Sequence, residues 1–301
     1  MKGKIIKACE DFFIQTNEGN CIAPEGRTKA LFLTNVNAGY PLVPDDFNEG
    51  LYELNSKKED GYLYRNDQLR ITPVNNVSMS EQSGGDIATA DPGDGFAIPA
   101  GFNQLAQTYR INGGLCLLKQ LKRLNKKQMR VFRIDDSGMI FGTEREQRSG
   151  NDFQGYLAYI MATDVLPTSN TEIFYIQLSI YYSAEYSNER ENAHAFALDS
   201  VPKGFVGVQL EAGTAAGTAK VVEVCSGEDT TSVYGTEWEA SMFADKSGKA
   251  PTAVAFDTET GLLTFTPAGG EYRVLDASVL IKGDIDGIEG VNVYTKLVAG
   301  E

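Results

Sequence analysis

The sequence predicts a mainly β protein of two domains: an N-terminal α+β domain built on a β-sandwich or barrel, and a C-terminal β-sandwich. Three observations predict this fold class. The chain has 301 residues, more than a single core usually organises. Apolar and polar residues alternate with the period of a strand in many segments. From residue 205 onward, about seven short apolar runs are separated by turn residues, as in a sandwich. We place the domains at residues 1–200 and 201–301.

Composition and charge exclude several classes of protein. Hydrophobic residues make up 42% of the chain, which is enough for real cores, yet no apolar run reaches the roughly 18 residues of a membrane-spanning helix. The first seven residues lack the apolar core of a secretory signal, so we expect synthesis in a cytoplasm. The net charge is −14, with 7 basic and 15 acidic side chains in residues 201–301 and 20 and 26 in residues 1–200. Both halves therefore repel a phosphate backbone, which argues against a sequence-specific nucleic-acid reader.

The first 101 residues divide into a strand-rich part and a long loop. Short strands are predicted up to residue 75, among them a hairpin over Phe12–Ala23, Ala30–Leu33 and Leu51–Leu54. Residues 73–101 lose the periodicity, and Gly, Asp, Ser, Asn and Pro dominate. We predict a loop here, either without fixed structure or forming an arm that becomes ordered against a neighbouring subunit.

One main helix is predicted near residues 113–125. Leu115, Leu118, Leu121 and Leu124 recur at helical spacing. The segment from Lys119 to Arg133 contains seven basic residues and no acidic one. Three interpretations of this basic run stay open: a solvated face, a contact with an acidic sister subunit, or a nucleic-acid contact.

Strands resume after the helix and continue to the predicted boundary. Met129–Gly142 is predicted to form a hairpin around the turn Asp135–Gly138, and Phe153–Met161 a further strand. Glu172–Tyr186 alternates throughout, which predicts an unbroken strand roughly 50 Å long at about 3.3 Å per residue. A strand of that length suits a wall or barrel.

The C-terminal domain is predicted from a regular series of apolar runs. Gly213–Thr218 is rich in glycine, but no Gly-Lys-Ser/Thr follows it, so we predict a hairpin loop rather than a phosphate cradle. Trp238, the only tryptophan, is a candidate core anchor. The predicted strands are Phe205–Leu210, Ala219–Cys225, Ala253–Phe256, Leu262–Thr266, Gly270–Val274, Val279–Ile281 and Val291–Thr295.

Few residues are candidates for a chemical site. His194 is the only histidine, and without a nucleophile motif nearby we interpret it as a surface or sheet-edge side chain. Asp284 and Asp286 precede Gly287, yet the loop lacks the third early ligand and the final glutamate of an EF-hand, so we expect a turn, with weak cation binding as the alternative. The Asp91–Gly95 segment is interpreted in the same way. We predict no catalytic, cofactor-binding or metal-binding residues and no enzymatic activity.

The cysteines give no sign of a metal site. Cys9, Cys21, Cys116 and Cys225 form no C-x-x-C pair. Cys116 and Cys225 lie among apolar neighbours, so we expect small buried side chains there. Free thiols are expected throughout, because synthesis is predicted in a reducing compartment.

Taken together, the chain resembles the virion structural proteins of tailed bacteriophages, and within them tail-tube-type subunits with a C-terminal immunoglobulin-like domain. The segments that carry the resemblance are the helix at Leu115–Leu124, the reaching loop Pro73–Gly101, the strand Glu172–Tyr186 and the appended domain from Gly204 to Glu301. The resemblance implies a subunit that assembles with copies of itself, hexameric rings being one arrangement, and with other virion proteins. It also implies that the basic run lies at a subunit interface, since a lumen that passes DNA is expected to be acidic.

The sequence therefore predicts a structural subunit of a bacteriophage virion that forms rings or a tube and displays an outward Ig-like domain. A capsid or capsid-decoration protein is the first alternative. A bacterial surface adhesin or glycan-binding module is the second. No membrane partner and no cofactor are expected.

Overall fold

A computed structural model gives the fold. It describes residues 6–7, 25–55, 70–90, 93, 98–112, 114–147, 150–163, 175–186, 189, 192–199, 201 and 204–298. The chain divides into two compact units: residues 1–49 with 66–201, and residues 50–65 with 202–301. Both described units consist mainly of β-strands, so the predicted fold class, mainly β with sandwich or barrel sheets, is confirmed.

The N-terminal unit is organised around one half-barrel sheet of eleven strands, with the principal order β1-β13-β9-β8-β11-β12-β7-β4. Strand β10 pairs with β9, and β2 lies between β8 and β3. A separate two-stranded ribbon is formed by β5 and β6. The elements between residues 1 and 201 are β1 (Ile6–Lys7), β2 (Thr28–Thr34), α1 (Pro44–Asn55, of which residues 50–55 belong to the other unit), β3 (Thr72–Asn75), β4 (Val77–Ser83), β5 (Ile87–Ala90), β6 (Ile98–Phe102), β7 (Ala106–Ile111), α2 (Leu115–Lys122), β8 (Gln128–Asp135), β9 (Met139–Gln147), β10 (Gly150–Gln154), β11 (Tyr156–Ala162), β12 (Ile176–Tyr182) and β13 (Ala193–Ala197).

The central strand β8 is buried along both of its faces, because apolar side chains pack on each side of the sheet. On one side Met129 and Val131 join a core with β7, β11, β12 and α2. On the other side Phe132 contacts Phe153, with ring centroids 5.0 Å apart, and Phe47 of α1 packs at 6.4 Å. The sheet is therefore covered on both faces at its centre.

Two predicted secondary-structure assignments in the first 101 residues are wrong. Leu51–Leu54 belongs to α1 rather than to a strand; Pro44 at the first helical position, followed by Asp45 and Asp46 in the first turn, favours the helix start. Residues 73–101 contain four strands, β3 to β6, instead of a loop. The predicted hairpin over Phe12–Ala23 lies outside the described residues.

The predictions for residues 113–186 are confirmed in part. The helix near 113–125 and the hairpin around Asp135–Gly138 are confirmed. The strand predicted over Glu172–Tyr186 has the expected buried face, but it ends at Tyr182, and a turn returns Tyr186 to the core. The strand predicted over Phe153–Met161 is interrupted at Gly155, where an added Cβ would lie 2.6 Å from the backbone nitrogen of Val131.

The C-terminal unit consists of a five-stranded sheet, β17-β18-β15-β14-β20, and a three-stranded sheet, β16-β19-β21. Trp238 is buried in the core of this unit and its indole N–H donates to the carbonyl of Thr231 at 3.1 Å, so the predicted anchor is confirmed. The elements are β14 (Val206–Ala212), β15 (Thr218–Glu223), α3 (Thr231–Tyr234), β16 (Phe243–Ala244), β17 (Ala253–Asp257), β18 (Leu262–Thr266), β19 (Glu271–Val274), α4 (Ala277–Leu280), β20 (Ile288–Gly290) and β21 (Thr295–Lys296).

Two strand predictions in this unit are wrong. Residues 279–281 are helical, in α4 and the 3₁₀ turn that follows it. The strand predicted over Val291–Thr295 is absent from residues 291–294; β20 ends before it and β21 begins at Thr295, and β20 pairs in parallel with β14. The glycine-rich loop before Thr218 does join the antiparallel strands β14 and β15, as predicted.

The expectation of buried, free cysteines is also wrong for the two that the structure describes. Cys116 is half-buried on α2, and Cys225 is exposed in the turn after β15. Both are disulfide-bonded. Apolar neighbours in sequence did not indicate burial here, because Cys225 lies two residues beyond the end of β15, in the exposed turn.

Candidate assembly surfaces

Residues 77–90 and 98–111, which contain strands β4 to β7, form a bent two-stranded arm. Strands β4 and β7 pair at its base. Beyond the bend, β5 continues from β4 and pairs with β6, which leads back into β7. Gly84 and Gly85 make the bend, with φ angles of 72° and 80°. A Cβ on Gly84 would lie 2.0 Å from the carbonyl oxygen of Gln104, so glycine is required there both for its conformation and for the close approach.

The outer half of the arm exposes apolar side chains. Ile87 and Phe102 are cross-strand partners and so share one face, with 57% and 61% of their surfaces exposed. Ile98 on β6 and Met79 on β4 are also exposed. Strand β4 is the last strand of the main sheet, and no other described strand pairs with its outer edge. The arm therefore offers both apolar side chains and an open strand edge.

A cleft of about 1110 Å³ opens at the root of the arm. Arg133 lines it and is buried, and its Nη2 donates to Glu25 at 2.6 Å and to the Tyr186 hydroxyl at 2.8 Å. Arg27 and Asp136 also line the cleft. Arg133 is therefore paired through its Nη2, whereas its buried Nε has no hydrogen-bond partner among the described residues.

Arg133 is held by tyrosines as well as by Glu25. Its guanidinium carbon lies 5.4 Å from the ring centroid of Tyr156 and 5.9 Å from those of Tyr182 and Tyr186. Burial opposes its charge, but the oxygens of Tyr182, Tyr186 and Glu25 outweigh burial and raise the arginine pKa. Burial in turn raises the pKa of Tyr182 well above its usual value. The cluster is a permanently charged core element.

The predicted basic run divides into a buried and an exposed part. Arg130 and Arg133 are buried, and Arg130 donates to Glu189 at 2.6 Å. The other five cations are exposed at the C-terminal end of α2 and in the turn after it: Lys119, Lys122, Arg123, Lys126 and Lys127. The run is therefore not one continuous surface.

An acidic surface in the C-terminal unit surrounds Tyr234 of α3. The Tyr234 hydroxyl donates to the backbone carbonyl of Asp286 at 2.7 Å. Burial raises the pKa of Tyr234, and the carboxylates of Asp286, Glu237 and Glu223 raise it further. The neighbouring Val233 is 73% exposed. This surface was missed in the sequence, because its acidic residues come from three separate segments.

His194 is buried, which corrects its interpretation as a surface residue. It lies on β13, next to the short terminal strand β1, and its Nε2 lies 2.5 Å from Glu144 Oε2. Its Nδ1 has no hydrogen-bond partner in the part of the chain that the structure describes. The His194–Glu144 pair thus joins the neighbouring strands β13 and β9 through their side chains.

The acidic segments proposed as alternative cation sites do not converge on a ligand set. Asp284 is exposed with a φ of 68°, and Asp286 is half-buried. Within the described ranges, no group of three or more His, Cys, Asp or Glu side chains is placed to hold a metal ion. Most of Asp91–Gly95 lies outside those ranges. Of the helices in the same ranges, none has the length and apolarity needed to cross a membrane.

Comparison with known proteins leaves the family open. No family model matches the chain, and no curated protein sequence matches it. Among solved structures, the chain is similar to one titled "Crystal structure of Hcp protein", with 10% sequence identity, 67% of this chain and 96% of that chain covered, and a TM-score of 0.20. At that TM-score the two chains superpose too poorly to define a shared fold.

Proposed function

We propose that this chain is a non-enzymatic structural subunit that assembles with copies of itself into rings or a tube. The observation that carries the proposal is the arm, built from residues 77–90 and 98–111. Its outer half exposes Ile87 and Phe102 on one face, and its basal strand β4 has an open edge among the described strands. Surfaces of this kind mark sites of protein–protein contact.

Energetics support this interpretation of the arm. A two-stranded ribbon without a covering layer is marginally stable in water, and β5–β6 is exposed along nearly its whole length. Burial of a large apolar side chain contributes about 1.5–3 kcal/mol. Covering Ile87 and Phe102 against a neighbouring copy therefore stabilises both the ribbon and the contact. The bend of the arm is held by two backbone hydrogen bonds of 2.9 Å: the Gly85 N–H donates to the Asn103 carbonyl, and the Asn103 N–H donates to the Asp86 carbonyl.

The finer assignment follows from the resemblance of the sequence to tail-tube-type subunits. On this proposal the chain is a component of a tailed-bacteriophage virion, and the N-terminal unit builds the ring or tube. The C-terminal β-sandwich corresponds to the Ig-like domain of such subunits and faces outward as an appendage. Its partners are copies of itself and other virion proteins.

The arm is tested by Ile87→Ser with Phe102→Ser. Because both side chains are more than half exposed, the double variant is expected to keep its fold. We expect the protein concentration needed for assembly to rise at least about tenfold, which corresponds to about 1.4 kcal/mol. Sedimentation velocity over a concentration series measures this.

The matched control is Val43→Ser with Val298→Ser. These two side chains are also exposed, but they lie outside the arm. Wild-type assembly is expected for the control. Equal assembly of the arm variant and the control would reject the arm as the contact.

A further inference from the structure

The exposed face of α2 combines one large apolar side chain with a row of cations. Leu115 is 68% exposed at the start of the helix, and Lys119 and Arg123 follow at intervals of four residues, on the same face. Leu118 and Leu121 are buried in the core. Lys126 and Lys127 extend the basic surface into the next turn.

This turn is fixed in place rather than loose. Asn125 bonds both backbone groups of Ala162, donating at 3.0 Å and accepting at 2.6 Å, and the Lys126 N–H donates to the Ile160 carbonyl at 3.0 Å. The cations are thus presented from a rigid support, which lowers the entropic cost of binding a partner.

Few of these exposed cations form ion pairs among the described residues. Lys119 and Lys122 lie in the last turn of α2, where cations complement the helix dipole. Lys119, Arg123 and Lys126 form no ion pair with any described carboxylate. Two arginines of the same run are paired and buried, so Lys119, Arg123 and Lys126 are the cations of the run that the described carboxylates leave exposed.

The acidic surface around Tyr234 is complementary to the basic surface in both charge and apolar content. It presents the carboxylates of Glu223, Glu237 and Asp286 together with exposed Val233 and Val224. It belongs to a segment, residues 201–301, with 7 basic and 15 acidic side chains. A negative surface with apolar residues fits a positive surface that carries an exposed leucine.

We propose that the basic face of α2 is the docking surface for the acidic Tyr234 surface of a second copy of this chain. The inference rests on the proposed self-assembly and adds to it a second contact, separate from the arm. Individual exposed ion pairs are weak, so this contact fixes register and orientation between copies more than it supplies affinity. Because it is exposed, salt weakens it over a Debye length of about 10 Å at 0.1 M.

Charge reversal on each surface tests the proposal. The basic face is reversed by Lys119→Glu with Arg123→Glu, and the acidic surface by Glu223→Lys with Glu237→Lys. Each variant alone is expected to need about tenfold more protein for assembly in low salt. The controls are Lys249→Glu with Lys296→Glu, and Glu211→Lys with Glu259→Lys; they reverse exposed charges elsewhere and are expected to assemble like wild type.

Mixing the two reversed variants separates a contact between copies from one within a chain. In an equimolar mixture each reversed surface meets a reversed partner on the other variant, so assembly is expected to return to the wild-type concentration range. Recovery only when both reversals are placed in one chain, and not in the mixture, would overturn the proposal.

Three further outcomes also decide it. Unchanged assembly of both reversed variants, in a wild type that does assemble, overturns this contact and leaves the arm proposal standing. The same unchanged assembly, with loss of double-stranded DNA binding by Lys119→Glu/Arg123→Glu in fluorescence anisotropy, would assign the basic face to nucleic acid instead. A wild type that stays monomeric in low salt rejects both this contact and the proposed function.

Discussion

Arg133 is the clearest case of a single residue that organises its surroundings. It lies on a strand that is buried on both faces, and its charge is balanced by Glu25 and surrounded by the rings of Tyr156, Tyr182 and Tyr186. Planar stacking and directed N–H donors are properties of arginine that lysine does not share. The tyrosines come from β11, β12 and the turn after β12, so Arg133 ties these elements together.

Replacing Arg133 tests its structural role. Arg133→Ala leaves the Glu25 carboxylate and the Tyr186 hydroxyl without their donor, and removal of one partner of a buried pair costs about 3–5 kcal/mol. Because Glu25 is partly exposed, we expect a loss near the lower end, about 3 kcal/mol, and a smaller loss for Arg133→Lys. Urea denaturation followed by far-UV circular dichroism measures the free energy of unfolding.

The control for Arg133 is Arg123→Ala on the exposed face of α2, where about 0.5 kcal/mol or less is expected. Trp238 adds a second readout, since the only tryptophan lies in the C-terminal unit. Its fluorescence midpoint is expected to stay unchanged in Arg133→Ala. An Arg133→Ala protein as stable as Arg123→Ala would contradict the structural role.

Among the elements, the arm shows where sequence patterns stop being informative. Residues 73–101 contain so many turn-forming residues that they predict a loop, yet β4 to β7 form a continuous bent ribbon. Exposed strands carry no alternation of buried and exposed side chains, because neither face meets a core.

The bend of the arm gives a prediction for one glycine. Gly84→Ala places a Cβ against the carbonyl oxygen of Gln104 and a side chain in the left-handed region. We expect the ribbon beyond the bend to be displaced, with a stability loss of about 1–3 kcal/mol and weaker assembly. Thermal unfolding and sedimentation velocity measure the two effects.

Gly114→Ala is the control for Gly84→Ala, because its Cβ would meet nothing within 4 Å. Wild-type behaviour is expected there. Intact stability and assembly in Gly84→Ala would show that the bend is not needed.

Elsewhere the sequence predicted elements well where one face is buried and one is exposed. Alternation identified the buried face of β12, and the Leu115–Leu124 spacing identified α2. The sequence did not distinguish the buried Arg130 and Arg133 from the exposed cations. Burial of a charge depends on a partner that is distant in sequence, which is Glu189 for Arg130 and Glu25 for Arg133. Residues 279–281 were apolar enough for a strand, but tertiary context placed them in a helix.

For the whole molecule, the proposals rest on three features from separate segments of the chain. The arm offers apolar side chains and a strand edge, α2 offers cations, and the C-terminal unit offers carboxylates around Tyr234. A heterologous contact between different surfaces of identical subunits generates a ring when its rotation closes and a filament when it does not. The proposed contact between α2 and the Tyr234 surface of a second copy is heterologous, which is why we propose rings or a tube.

Negative-stain electron microscopy of the purified chain at high concentration and low salt tests self-assembly most directly. We predict rings or tubes of uniform diameter, which disappear in Ile87→Ser/Phe102→Ser and persist in Val43→Ser/Val298→Ser. Closed shells would favour a capsid component over a tube subunit. Isolated monomers at every concentration would contradict the proposed assembly.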